Sequence, residues 1–356
     1  MKLKEKYHAL GCMSGTSLDG IDLAYCSFLY KDNSIEFEIL RAETVSYNKK
    51  WKSSLKMAHR LSGRELFRLD HEYGKFLGKI IKDFTKKHSL KPDFIASHGH
   101  TVFHEPEISG SLQIGNGHDI YAVSSIPVIA DFRNMDIALG GQGAPLVPAG
   151  DEYLFPDYDY CLNLGGFSNI SYKKNGIRLA YDICPVNSIL NDLATAARMD
   201  FDRNGDLGRK GKVDTLLLDR LNSLEYYQKT PPKSLGREFL EKSFYPVLKS
   251  FDLTTEDLLA SLYEHISAMI VNAIGNNSNN KVLISGGGAK NAFLIDKIDE
   301  QTSTELVIAE EKITDFKEAL VFAFLGVLKM EGKNNVLASV TGAREDSCSG
   351  ILYNNK

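Results

Sequence analysis

Three stretches of the chain share one plan, in which an apolar run that reads as a strand ends in clustered glycines flanked by hydroxyl or amide side chains. They are "GCMSGTSLDGID" at 11–22, "LNLGGFSNIS" at 162–171 and "LISGGGAKN" at 283–291. Glycine lets a backbone approach an anionic ligand closely, and Ser, Thr and free N–H groups donate to phosphate oxygens. The first stretch is therefore a phosphate-loop candidate. Gly11, Gly15 and Gly20 do not fall in the dinucleotide spacing, and no Lys follows the last Gly as a P-loop requires, so a different kind of nucleotide site is implied. The triple glycine at 286–288 is weak alone, because strand-to-helix turns often use glycine. Its place as the third of an ordered set gives it meaning.

The flanking segments repeat this logic. "IDLAYCSFL" and "IEFEILRAETVSY" are rich in β-branched and aromatic residues, so the start reads as a three-strand meander with turns at 11–20 and 31–34. From Glu65 to Lys87, apolar residues at Leu66, Leu69, Tyr73, Phe76, Leu77, Ile80, Ile81 and Phe84 predict a helix with one buried stripe. Strands follow at "DFIASHG", "SLQIG" and "IPVIADF", with a short helix near 118–125. A second cycle opens at "YDYCLNLGGFSNISY" and "GIRLAYDI", followed by helices at 185–198 and 255–274 and a mostly buried helix at "FKEALVFAFLGVLKM". Strand-glycine-strand at the head of each half predicts two related α/β lobes across a cleft, with the glycine turns inward. The boundary is expected in "LGGQGAPLVPAG" at 139–150, giving lobes 1–145 and 146–356.

Composition limits the partners. A length of 356 residues suits two domains, each with its own core. Hydrophobic residues make up 43% and charged ones 25%, with a formal net charge of −4, so there is no electrostatic footprint for nucleic acid or an anionic membrane. Five cysteines without a C-x-x-C pair point to reduced thiols, and no apolar run of spanning length or signal-like h-region is visible. A cytoplasmic protein whose partner is a small molecule or another protein chain is expected.

With the three glycine stretches in this order, the chain resembles the sugar kinase, heat-shock protein and actin superfamily of two-lobed ATP-binding proteins, a duplicated ribonuclease H-like fold with an ATP cleft between the lobes. Within it, "MSGTSLDGID", "ADFRNMDIALGGQGAPLVPAGD", "NLGGFSNIS", "PPKSLGREF", "SGGGAKN", "KEALVFAFL" and "SVTGAR" resemble the motifs of the anhydro-N-acetylmuramic acid kinases, from about residue 7 to 350. The resemblance implies that water opens the 1,6-anhydro bridge of anhydro-N-acetylmuramic acid while the freed 6-oxygen takes the γ-phosphoryl of ATP. It makes the first stretch a phosphate loop through Ser14, Gly15, Thr16, Ser17, Asp19, Gly20 and Asp22. Gly165 and Gly166 become the second phosphate loop, and Gly286, Gly287 and Gly288 the adenosine loop. Water needs a positioned base, and the family's Asp aligns with Asp182 in "AYDICPVN". There Ile183, Cys184 and Val186 replace the family's Thr, Gly and Gly, while Pro185 and Asn187 remain.

Asp19 and Asp22 are the candidates for holding Mg²⁺ on the phosphates, the alternative being that they only cap a turn. Arg133 matches the family position for gripping the lactyl carboxylate, since a guanidinium binds carboxylates bidentately; a surface pairing with Asp131 or Asp136 is the alternative. Glu318 by resemblance binds the sugar, against a solvent-facing place on an amphipathic helix, and Asn187 joins it as a substrate contact. A homodimer is expected. The altered "DICPVN" leaves open a kinase for another anhydro sugar or hexose, and loss of chemistry would leave an ATP- and sugar-binding sensor. Two other signals are declined: the calcium-like "DFDRNGDLGRKG" has Gly211 where a bidentate Glu is required, and His98, His100 and His104 lack an evident fourth zinc ligand.

Overall fold

The computed structural model describes residues 4–15, 18–31, 34–108 and 110–355. They form two compact units, one of residues 1–155 with 316–356, the other of 156–315. In the first unit β1 (Lys6–Ser14), β2 (Gly20–Lys31) and β3 (Ser34–Ser46) form the expected meander, followed by β4 (Phe94–Glu105), β5 (Gly110–Ile114) and β6 (Val128–Ala130). The sheet runs β6-β4-β1-β2-β3, with β5 off β4 and the C-terminal strand Ile351–Tyr353 on the β6 edge. β1 pairs parallel with β4, and β4 with β6, while β2 and β3 pair antiparallel.

The second unit holds β7 (Tyr160–Leu164), β8 (Phe167–Lys174), β9 (Ile177–Pro185), β10 (Lys281–Ser285) and β11 (Glu305–Ile308) in the order β11-β10-β7-β8-β9. β7–β10 and β10–β11 are parallel, β7–β8 and β8–β9 antiparallel. Order and direction repeat those of β6-β4-β1-β2-β3, so each unit is the same ribonuclease H-like α/β plan and the chain is its duplication, the actin-like fold class.

The elements follow from local chemistry. The helix Gly63–Lys87 starts with a capping box, in which Ser62 accepts from the Glu65 N–H and the Glu65 side chain accepts from the Ser62 N–H. Its predicted stripe is buried at Leu69, Tyr73, Leu77, Ile81 and Phe84 against Leu10, Ile21, Leu23 and Ile95 of the sheet. Thr254 caps the helix Thr255–Ile274, which Gly275 ends at φ 76°. The central strands are buried over long runs, as parallel strands covered on both faces must be.

The helix Glu311–Met330 carries the chain from the second unit back to the first, with non-helical dihedrals at Phe316 (φ −123°, ψ 17°). Its later turns lie on the first sheet: a Cβ on Gly11 would come 1.8 Å from the Ala319 carbonyl oxygen, and one on Gly326 2.5 Å from the Phe94 ring. Lys317 Nζ, buried, forms an ion pair with Asp151 at 2.8 Å. The sequence reading divides the chain once, at 145/146. The structure instead keeps the helix Val147–Leu154 and the segment from Phe316 onward with the first unit, because their apolar faces are buried there.

Candidate active site

In the first unit the glycine turn follows β1. Ser14 is buried, and its Oγ lies 2.6 Å from the Tyr47 hydroxyl, 3.4 Å from His100 Nδ1, and accepts from the Tyr73 hydroxyl at 2.9 Å. Its side chain therefore anchors the end of β1 in a buried polar cluster. Thr16 and Ser17 lie outside the described residues. The Leu18 N–H closes a turn on the Gly15 carbonyl at 3.4 Å, and Leu18 takes φ 60°, a left-handed conformation that costs an L-residue roughly 1–2 kcal/mol. Gly20 begins β2 where a Cβ would press to 2.7 Å from Thr44. Asp19 is exposed, and half-buried Asp22, opposite Met13 in the ladder, accepts from Thr44 Oγ1 at 2.6 Å.

Arg133 starts the short helix Asn134–Ala138 and pairs with neither Asp131 nor Asp136. Its Nη1 donates to the Gly143 carbonyl at 2.6 Å, and Nε and Nη2 donate to His98 Nε2 at 3.2 and 2.8 Å. Asp131 accepts from Asn134; Asp136, fully buried, accepts from the Gly143 N–H and Thr341 Oγ1. Burial lowers the Arg133 guanidinium to about 10, with Glu318 opposing. Glu318 keeps solvent access yet has protein packed closely around it; that desolvation, then the Asp22 carboxylate, raises its carboxyl, and Arg133 and Lys317 oppose. The first unit thus brings Asp22 and Arg133 each within reach of the Glu318 carboxyl's field. His98, His100 and His104 go separate ways, to Arg133, Ser14 and Ser111.

In the second unit the other two glycine stretches meet. Gly286, at φ 85° after β10, could not carry a Cβ, which would come 2.5 Å from Asn163 Oδ1 and 2.9 Å from the Leu164 backbone. Gly288 is equally close to Leu164, while Gly287 is exposed. The Gly165–Gly166 turn is gripped by the start of the helix Asn187–Ala196: the Val186, Asn187 and Ser188 N–H groups donate to the Gly166, Gly165 and Gly166 carbonyls at 2.9, 3.2 and 3.1 Å. Asn187 Nδ2 donates to the Leu164 carbonyl at 3.1 Å, so Asn187 holds the second glycine turn with its side chain as well as its backbone.

Asp182 stands on β9 beside a bulge. Register shifts between Ser168–Cys184 and Asn169–Asp182, leaving Ile183 as an extra residue, and bulges re-aim the side chains next to them. Asp182 Oδ2 accepts the Leu235 N–H at 2.8 Å, its own N–H donates to the Lys233 carbonyl, and Tyr226 donates to its carbonyl. Burial raises the Asp182 carboxyl and the Leu235 N–H partly offsets it. Oδ1 has no partner among the described residues. Ile183, Cys184 and Val186, the departures from the family pattern, all turn into the core of the unit, where Cys184 meets Ser168. The sequence singles out "PPKSLGREF" as a family motif and His98 as a declined zinc ligand, but the hold of Leu235 on Asp182, the Asp136–Thr341 contact and the seating of Arg133 by His98 carry no local signal, because each joins residues distant along the chain.

Two ribonuclease H-like units with glycine turns beyond the carboxyl ends of β1, β7 and β10 define the actin-like fold class, which sugar kinases share. The family model for anhydro-N-acetylmuramic acid kinase matches residues 7–355. Proteins named anhydro-N-acetylmuramic acid kinase are similar over nearly their whole length. The one from Sulfurimonas denitrificans is 32% identical, covering 97% of this chain and 98% of its own. That from Actinobacillus pleuropneumoniae serotype 3 is 33% identical over the same shares, and that from Caldanaerobacter subterraneus subsp. tengcongensis 30% identical over 98% and 97%. The chain belongs to the anhydro-N-acetylmuramic acid kinase family and is a sugar kinase. Among the described residues no helix is long and apolar enough to cross a membrane.

Proposed function

We propose that the protein hydrolytically opens 1,6-anhydro-N-acetylmuramic acid and phosphorylates O6, giving N-acetylmuramic acid 6-phosphate. The observation that carries this reading is Asp182: a desolvated carboxyl fixed through one oxygen by the Leu235 N–H, with the other oxygen left to take a proton. In the reaction Asp182 accepts a proton from water as the water oxygen bonds to the anomeric carbon. The C1–O6 bond breaks, O6 bonds to the γ-phosphorus of ATP, and ADP leaves. Arg133 binds the lactyl carboxylate, and Glu318 binds the sugar. Asn187 serves by fixing the second phosphate turn through the Leu164 and Gly165 carbonyls.

The first turn supplies phosphate contacts from Ser14, Gly15, Thr16, Ser17 and Gly20, as the family motif implies. Asp19 and Asp22 would supply the hard oxygen donors that Mg²⁺ takes, with Thr44 Oγ1 orienting Asp22. Magnesium, when bound, neutralises phosphate charge. Because Ile183, Cys184 and Val186 are core residues, the surface presented beside Asp182 gives no reason to prefer another sugar.

The test is ATP consumption with 1,6-anhydro-N-acetylmuramic acid in ¹⁸O-water, alongside Asp182→Asn, with products weighed by mass spectrometry. One heavy oxygen at the anomeric carbon of the sugar phosphate, lost in the variant, is expected. Turnover only with a reducing sugar would overturn the reading.

A further inference from the structure

Arg133 is held in an uncommon way. Three of its five N–H groups are occupied, but only by neutral acceptors, the His98 ring and the Gly143 carbonyl. No carboxylate of the described residues lies within ion-pair distance, for Asp131 and Asp136 are committed to Asn134, Gly143 and Thr341. Glu318 acts on this cation only from beyond ion-pair distance, and a partly buried guanidinium without a contact counter-ion is costly to keep unless it meets an anion in use. One N–H remains on each terminal nitrogen, the fork that suits a carboxylate.

The tautomer of His98 follows from its neighbours. Nδ1 lies 2.9 Å from the Gly99 carbonyl oxygen, which can only accept, so Nδ1 carries the proton. Nε2 therefore presents a lone pair, and guanidinium N–H groups can only donate to it. The ring is buried and packed on Phe322 with centroids 4.9 Å apart, which fixes its plane. Burial and the adjacent Arg133 hold its pKa down to about 3, so it stays neutral at working pH. On the other side, Gly143, at φ 66°, is fixed through its own N–H by Asp136, and Asp136 by Thr341. An Asp or Glu in the place of His98 would aim Arg133 equally well but would neutralise it.

We propose that His98 is a positioning residue, whose ring lone pair aims the Arg133 fork at the anionic group of the substrate while leaving its positive charge unspent. The proposal rests on the reading of Arg133 as the partner of the lactyl carboxylate. It is tested with the full chain and with His98→Leu, His98→Gln, Arg133→Ala and the His98→Leu/Arg133→Ala pair. Calorimetric affinities are measured for 1,6-anhydro-N-acetylmuramic acid and for 1,6-anhydro-N-acetylglucosamine, which lacks the lactyl group, together with kcat on the acid.

His98→Leu is expected to weaken the acid by roughly tenfold to a hundredfold, the scale of a misplaced contact group, with kcat and the neutral sugar little changed. His98→Gln, which keeps an acceptor, recovers most of that loss, and His98→Leu adds nothing in the Arg133→Ala background. Should His98→Leu fail to fold, His98→Asn, too short to reach Arg133, takes its place. Equal loss on both sugars, or an intact preference for the acid in His98→Leu while Arg133→Ala loses it, overturns the role of His98 alone. An intact preference in Arg133→Ala overturns the assignment of Arg133 and, with it, this proposal.

Discussion

A base works as its carboxylate, so burial that raises the Asp182 carboxyl has a kinetic signature. As pH falls through that raised value the base is protonated and kcat/KM declines, so the acid limb should lie above the usual Asp value of about 3.9. An acid limb at the ordinary position would contradict the burial of the group. Asp182→Asn is expected to lower kcat by about 10²–10⁴, the usual worth of a general base, without changing ATP affinity by calorimetry. That Asp182 carries chemistry was readable from its match to the family motif. How it is aimed was not, since the strap that holds it lies 53 residues further on and the bulge at Ile183 arises from pairing with β8. Likewise Cys184 reads as a change beside the base, yet its thiol, pushed up to about 12 by burial, belongs to the core.

At the scale of elements, close approach decides. In an exposed helix, Gly→Ala gains close to 1 kcal/mol of propensity. Gly74 and Gly78 reverse that sign, because a Cβ there would come 2.7 Å from the Asn116 carbonyl oxygen and 2.8 Å from Val123 in the helix Gly117–Ser124. Gly74→Ala and Gly78→Ala should each destabilise by about 1–3 kcal/mol from overpacking, read as a lower denaturant midpoint at unchanged slope; a stabilised variant would refute the packing. The helix itself was legible from its apolar spacing and its Ser62–Glu65 cap. The need for glycine on its outer face came from a second helix, which no local pattern announces. The helix Lys49–Lys56, with only Leu55 buried, likewise offered too short a stripe to be read.

For the molecule as a whole, the return of the chain at Phe316 sets what can fold alone. Residues 156–315 are contiguous and hold their own apolar core, so that fragment should unfold cooperatively by calorimetry, whereas 1–155 lacks the helix that covers Gly11 and Phe94 and should not. A cooperative transition in 1–155 would count against this packing. Three buried histidines add a pH dependence: His98, His100 and His265 are lowered by burial to about 3, 4 and 3. Below the unfolded value of about 6.5 the unfolded chain binds protons that the native imidazoles do not. Their contribution is full above pH 6.5 and is lost as pH falls, by up to about 1.4 kcal/mol per histidine per pH unit. Thermal unfolding from pH 7.5 to 5 should show the decline, and His265→Gln should flatten the second unit's share; an unchanged slope would refute it. By itself the sequence determined the strands, the long helices and the glycine turns, because periodicity, capping and backbone freedom act over a few residues. Only the tertiary structure decided that the last 41 residues rejoin the first unit, that Asn187 holds the Gly165–Gly166 turn, and that a neutral histidine seats Arg133. Those outcomes depend on which distant surfaces exclude water together, and no local pattern encodes that.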